Sequence, residues 1–87
     1  MNTTRVNIIY RESHLSRQEV VDTFFDIVGA TTTAEEVQAR SNGDVSFVIH
    51  GFYNRVIEST LNRRITDLDP LAELRINGQS YVSRGLN

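Results

Sequence analysis

The sequence predicts an α+β fold, a ferredoxin-like split βαβ sandwich of order βαββαβ, with two helices on one face of an antiparallel sheet and an extra C-terminal hairpin strand. Three observations predict it. Residues 5–11, RVNIIYR, alternate apolar and mixed positions; residues 17–28 and 53–65 repeat apolar side chains at spacings of three and four; and Asn42-Gly43 and Asn77-Gly78 each sit between extended stretches. Eighty-seven residues leave room for one such domain, spanning 1–87, with a single layer of core.

The first strand places Val6, Ile8 and Tyr10 on one face and Asn7, Ile9 and Arg11 on the other. A helix begins at Arg17: Ser16 and Glu19 spell a capping box, and Leu15 and Val20 flank it as a hydrophobic staple. Val20, Val21, Phe24, Phe25, Ile27 and Val28 give it a broad apolar stripe, and Gly29 ends it.

The stretch 34–40 is contested between helix and strand. AEEVQAR contains good helix formers, and Thr33 to Glu36 spells a second capping box, but Asn42-Gly43 and the strand VSFVI need a partner just upstream. The strand is preferred. A three-residue loop with Gly43 in the left-handed region would set Val45, Phe47 and Ile49 near Ala39, Val37 and Glu35, apolar beside apolar.

A second amphipathic helix runs from Tyr53 to about Ile65, with Val56, Ile57, Thr60, Leu61 and Ile65 inward and Arg55, Glu58, Asn62 and Arg63 outward. Arg63 and Arg64 are expected to meet its C-terminal dipole. Asp67-Leu68-Asp69-Pro70 breaks it, the two aspartates serving turn and cap. Asn77-Gly78 then closes a hairpin with Ile76 opposite Gln79 and Leu74 opposite Tyr81.

Composition narrows the functional classes. A net charge of −2 argues against a dedicated phosphate-backbone binder. With no cysteine there is no disulfide framework, thiolate zinc site or thiol nucleophile, and a reducing compartment suits the chain. The stretch MNTTRVN has no apolar leader core, and no run approaches the roughly 20 residues of a membrane helix, so a cytoplasmic location and no membrane contact are expected. His14 and His50 are the only imidazoles; with no local nucleophile motif, no metal-ligand spacing and no glycine-rich phosphate loop, neither enzyme activity, metal nor cofactor is expected.

The element order, and GDVSFVIHGF leading into the second helix, resemble the RNA recognition motif, whose open sheet face stacks bases on aromatics. The resemblance spans most of the chain. It would put that family's stacking positions at Asn7 on the first strand and at Val45 and Phe47 on the third, with Asp44 where the family has glycine. It implies single-stranded RNA or other nucleic-acid binding as an alternative function.

Burial opposes that alternative. Turning Phe47 outward would send Ser46, Val48 and His50 into the core, losing about 1.5–3 kcal/mol for each large apolar side chain exposed. Phe47 is therefore expected inside, leaving Asn7, Ile9, Arg11, Ser46, Val48 and His50 on an open face. Phe52 and Tyr53, with Arg55 beside them, form a corner of aromatic and arginine residues of the kind that anchors interfaces. The candidate binding residues are thus Asn7, Ile9, Arg11, Val48, His50, Phe52, Tyr53 and Arg55, and the function expected is a small protein-binding module: an inhibitor, adaptor or assembly factor for a larger protein. A homodimer through the sheet edge or face is a further expectation.

Overall fold

The computed structural model describes residues 3–29, 32–40, 43–51 and 53–81, and for 37–40 the backbone alone. Along the chain come strand β1 (Thr3–Ile9), helix α1 (Arg17–Val28), strands β2 (Thr33–Arg40) and β3 (Asp44–His50), helix α2 (Arg55–Leu68), and strands β4 (Glu73–Ile76) and β5 (Gln79–Ser80). The sheet order is β2-β3-β1-β4-β5, with every neighbouring pair antiparallel. Each helix carries the chain across one intervening strand, so the order and the two helices fit the ferredoxin-like plan with one added edge strand.

The period-two signal in β1 and β3 sets the core. Val6 faces Phe47 and Ile8 faces Val45 across the β1–β3 ladder, and Val6 and Ile8 face Ile76 and Leu74 of β4. All six, with Ile49, are buried. From the helices, Val20, Phe24, Val28, Leu61 and Ile65 close over them. The Phe24 and Phe47 rings stack with centroids 3.7 Å apart and planes 9° from parallel, and Phe25 meets both edge-on.

Helix α1 starts as its sequence requires. The Glu19 amide donates to Ser16 Oγ at 3.1 Å and the Ser16 amide donates to Glu19 Oε1 at 3.0 Å, the full capping box. Gly29 stands at its end, but in the right-handed helical region rather than the left-handed one. The next tie is made by Thr32, whose hydroxyl donates to the His50 carbonyl at 2.6 Å.

Three expectations are corrected here. First, β2 pairs with β3 as a strand, but a bulge at Val37 separates Ala39, opposite Val45, from Glu36 and Ala34, which stand opposite Phe47 and Ile49. The bulge brings Glu36 to the helix side, where its carboxylate accepts a hydrogen bond from the Arg17 guanidinium at the start of α1. Second, α2 runs three residues past Ile65 to Leu68, so Arg63 and Arg64 lie outside its last turn. Third, Glu58 is buried at 3% exposure and Val56 is 71% exposed, the reverse of the predicted faces. The Tyr53 hydroxyl donates to Glu58 Oε2 at 2.7 Å, which permits an inward carboxylate.

The two hairpin turns differ in what holds them. Gly43, at φ +70°, lies so close to the end of β1 that a Cβ there would fall 2.0 Å from the Tyr10 carbonyl oxygen. Tyr10 in turn donates its amide to the Gly43 carbonyl at 2.8 Å. Ser41 and Asn42 lie outside the described residues. The 77–78 turn has both residues at positive φ, as a type I′ loop requires, with Ile76 opposite Gln79 as predicted. The Leu74–Tyr81 pairing is not formed, since β5 ends at Ser80.

Beyond β1 and α2 the chain is locked by one ion pair. Asp69, at the end of α2, is fully buried; Arg11 donates to it from its backbone amide at 2.8 Å and from its guanidinium at 2.8 and 2.5 Å, and the Leu71 amide adds a fourth bond at 3.1 Å. The Arg11 side-chain bonds hold the Asp69 carboxyl at about 2, against the desolvation that would raise it. Its folded-state value lies below the ordinary 3.8, so the stability it contributes is fully present above about pH 5 and is lost as pH falls toward 2. With Arg11 partly exposed, Asp69→Asn should cost about 1–2 kcal/mol at neutral pH. Urea denaturation at pH 7 and pH 3 measures this: the gap between wild type and variant should narrow at the lower pH.

Candidate functional site

Because both helices cover one side of the sheet, the other side carries the alternate residues of every strand. On β1 these are Thr3, Arg5, Asn7 and Ile9; on β3, Asp44, Ser46, Val48 and His50; on β4, Glu73 and Arg75. The β2 residues Thr33 and Glu35 stand beside His50 and Val48. Four of the predicted site residues, Asn7, Ile9, Val48 and His50, are therefore on one continuous face.

Polar contacts organise this face locally. The Asn7 side-chain amide donates to Ser46 Oγ at 2.9 Å, to the Val45 carbonyl at 3.2 Å and to the Asp44 carboxylate. His50 Nε2 lies 3.5 Å from Glu35 Oε1, with both side chains exposed on the flat sheet. The Arg75 guanidinium meets Glu73 at 3.1 Å. Ile9 and Val48 are half-buried within this polar setting. Three carboxylates, Glu35, Asp44 and Glu73, stand with the arginines Arg5 and Arg75, and no aromatic side chain among the described residues lies on this face.

The remaining predicted site residues are placed elsewhere. Arg11 falls beyond the end of β1 at Ile9, and its guanidinium is committed to Asp69, so it is a structural tie and not part of the open face. Tyr53 is half-buried and turned toward Glu58. Arg55 opens α2 on the helix side, just after the Asn54 cap, whose side chain accepts from the Ile57 amide at 2.9 Å. Phe52 lies outside the described residues. The stacking positions implied by the RNA recognition motif fail on geometry, since Val45 and Phe47 both point into the core at 0% exposure.

One feature of the helix side had no clear sequence signal. A groove of about 400 Å³ opens between the end of α1 and the start of α2, lined by Ile27, Ile57 and Val56 and by Asp26, Asn54 and Arg64. The helical spacing predicts Val56 inward, whereas it stands half a turn from the buried Glu58, Leu61 and Ile65. Among the described residues no three of His, Asp and Glu come close enough to hold a metal ion, and no helix is long and apolar enough to cross a membrane.

Comparison with known proteins extends the fold and nothing else. No family model and no curated protein matches the chain. A solved structure to which it is similar is the de novo designed protein Foldit4, at TM-score 0.62 and 18% identity, covering 86% of this chain and 91% of that one. At that identity the likeness speaks for the backbone arrangement alone.

The corner after β3 generates a direct test of its structural role. Tyr53→Phe removes one hydrogen bond to a buried carboxylate while keeping the ring, and should cost about 1–2 kcal/mol by chemical denaturation. An unchanged midpoint would show that Tyr53 does not hold the start of α2.

Proposed function

We propose that this chain is a small non-enzymatic protein-binding module, acting on a larger protein as inhibitor, adaptor or assembly factor, with the uncovered sheet face as its contact. One observation carries the reading: Ile9, opposite Asp44, and Val48, opposite Arg5, sit half-buried toward the two ends of the β1–β3 part of that face, among amides, hydroxyls and charges of both signs. Interface surfaces mix apolar positions with polar and charged groups in this way. Single-stranded nucleic-acid platforms use exposed aromatics and an excess of cationic side chains. Among the described side chains of this face three carboxylates stand with two arginines, which gives no excess of cationic charge for a phosphate backbone.

His50 and Glu35 do not alter this reading. They form a pair exposed on the uncovered sheet face, with Thr3 and Thr33 opposite His50 on the neighbouring strands, and are part of the proposed contact.

Affinity capture from the native host tests the proposal. Wild-type chain should retain a stoichiometric protein, and Val48→Arg should lose most of it while unfolding within about 0.5 kcal/mol of wild type, as expected for a surface position. Equal recovery by both would place the contact elsewhere. Labelled single-stranded RNA at low salt should show no binding; saturable binding that weakens with added salt would instead support the nucleic-acid alternative.

A further inference from the structure

The helix layer carries a surface that the sheet-face reading does not use. Its groove joins the end of α1 to the start of α2, so the two helices run antiparallel, and Val56 stands 71% exposed at the groove's edge on the outer line of α2. An apolar residue in that place leaves about the largest exposed hydrophobic surface of the helix.

Net charge on the layer differs by helix: the exposed ionic side chains of α1 are Arg17, Glu19, Asp22 and Asp26, and those of α2 are Arg55, Arg63, Arg64 and Asp67. Asp22 and Asp26, four residues apart and therefore on one line of α1, are exposed. On α2 the exposed cations are Arg55, Arg63 and Arg64. Arg64 already reaches Asp26 of the neighbouring helix at 3.3 Å, whereas neither Arg55 nor Arg63 has an ion-pair partner among the described residues. A net acidic α1 thus lies beside a net basic α2, across a groove bordered by Asp26 and Arg64; Arg63 shares the outward side of α2 with Val56, and Arg55 lies half a turn from Arg64.

We infer that the helix layer is a self-association surface whose occupant is a second copy of this chain. A two-fold axis running along the helices, between two layers placed face to face, sets α1 of each copy over α2 of the other. Asp22 and Asp26 then meet Arg63 and Arg64 of the second copy, and Val56 of each copy meets the Ile27 end of the other's groove. A purely acidic or purely basic partner would satisfy one line and be repelled by the other; a second copy satisfies both. Helices of 12 and 14 residues present a face only about 20 Å long and 20 Å wide, about 400 Å² a copy and under the usual range of stable interfaces, so the dimer is a weak one.

Sedimentation equilibrium of the full chain across concentration and salt tests this. At low salt the chain should populate a reversible dimer that salt weakens. Val56→Asp, at a position the monomer leaves exposed, should keep the helical circular dichroism and weaken association about tenfold or more. Asp22→Arg and Arg63→Glu should each weaken it, and the double variant should recover most of the loss. Val48→Arg, on the opposite face, should leave the dimer intact, so failure here is separable from failure of the sheet-face reading. A chain that stays monomeric at low salt up to about millimolar concentration would overturn the inference. So would a dimer that survives Val56→Asp but not Val48→Arg.

Discussion

The direction of the Phe47 side chain fixes both faces of this molecule. A strand has a period of two, so placing Phe47 inward also places Val45 and Ile49 inward and sends Ser46, Val48 and His50 outward. Phe47 stacks on Phe24 from α1 and faces Val6 across the ladder. The same contact therefore seats the first helix, sets the register of the two central strands and decides what the open face can offer a partner. Sliding β3 by one residue would exchange three buried apolar side chains for Ser46, Val48 and His50, a cost that a domain of this size has little reserve to meet.

Around that contact the ends of the elements are held by specific polar ties. Arg11 and Asp69 join the chain leaving β1 to the chain leaving α2, and Thr32 joins the end of α1 to the end of β3. Gly43 lets the β2–β3 turn lie against Tyr10, an approach that any side chain would block. Arg5 and Asn77 exchange a backbone amide for a side-chain oxygen at 2.9 Å and a backbone amide for a carbonyl at 2.8 Å, extending the β1–β4 contact into the last turn. These ties concentrate at the sheet ends, away from the open face. That face is left with local bonds among its own side chains, a surface that no element among the described residues covers.

Most of the fold was legible in the sequence because its signals are local. The capping box at Ser16 and Glu19, the alternation in β1 and β3, and the Asn77-Gly78 turn each express chemistry within a few residues, and each is found where expected. What was not legible depends on residues far apart. The Val37 bulge sets Glu36 on the helix side, where it meets Arg17, nineteen positions away. Arg11 leaves the open face because Asp69 lies 58 positions along the chain. Glu58 lies inward with Tyr53 as a hydrogen-bond partner, and Val56, two positions earlier, lies on the outward side of the same helix. The helix signal in 33–36 was real but local, and pairing with β3 overrode it. The open face was half legible: alternation placed Asn7, Ile9, Val48 and His50 together, while the groove between the helices emerged only from their packing.

Comparing Phe47→Ala with Val48→Ala by urea denaturation tests the central claim most directly. An inward Phe47 packed against Phe24 predicts a loss of about 3–5 kcal/mol for Phe47→Ala, and about 1 kcal/mol or less for Val48→Ala on the open face. Equal losses, or a larger one at Val48, would contradict the placement of these residues and with it the identity of the two faces.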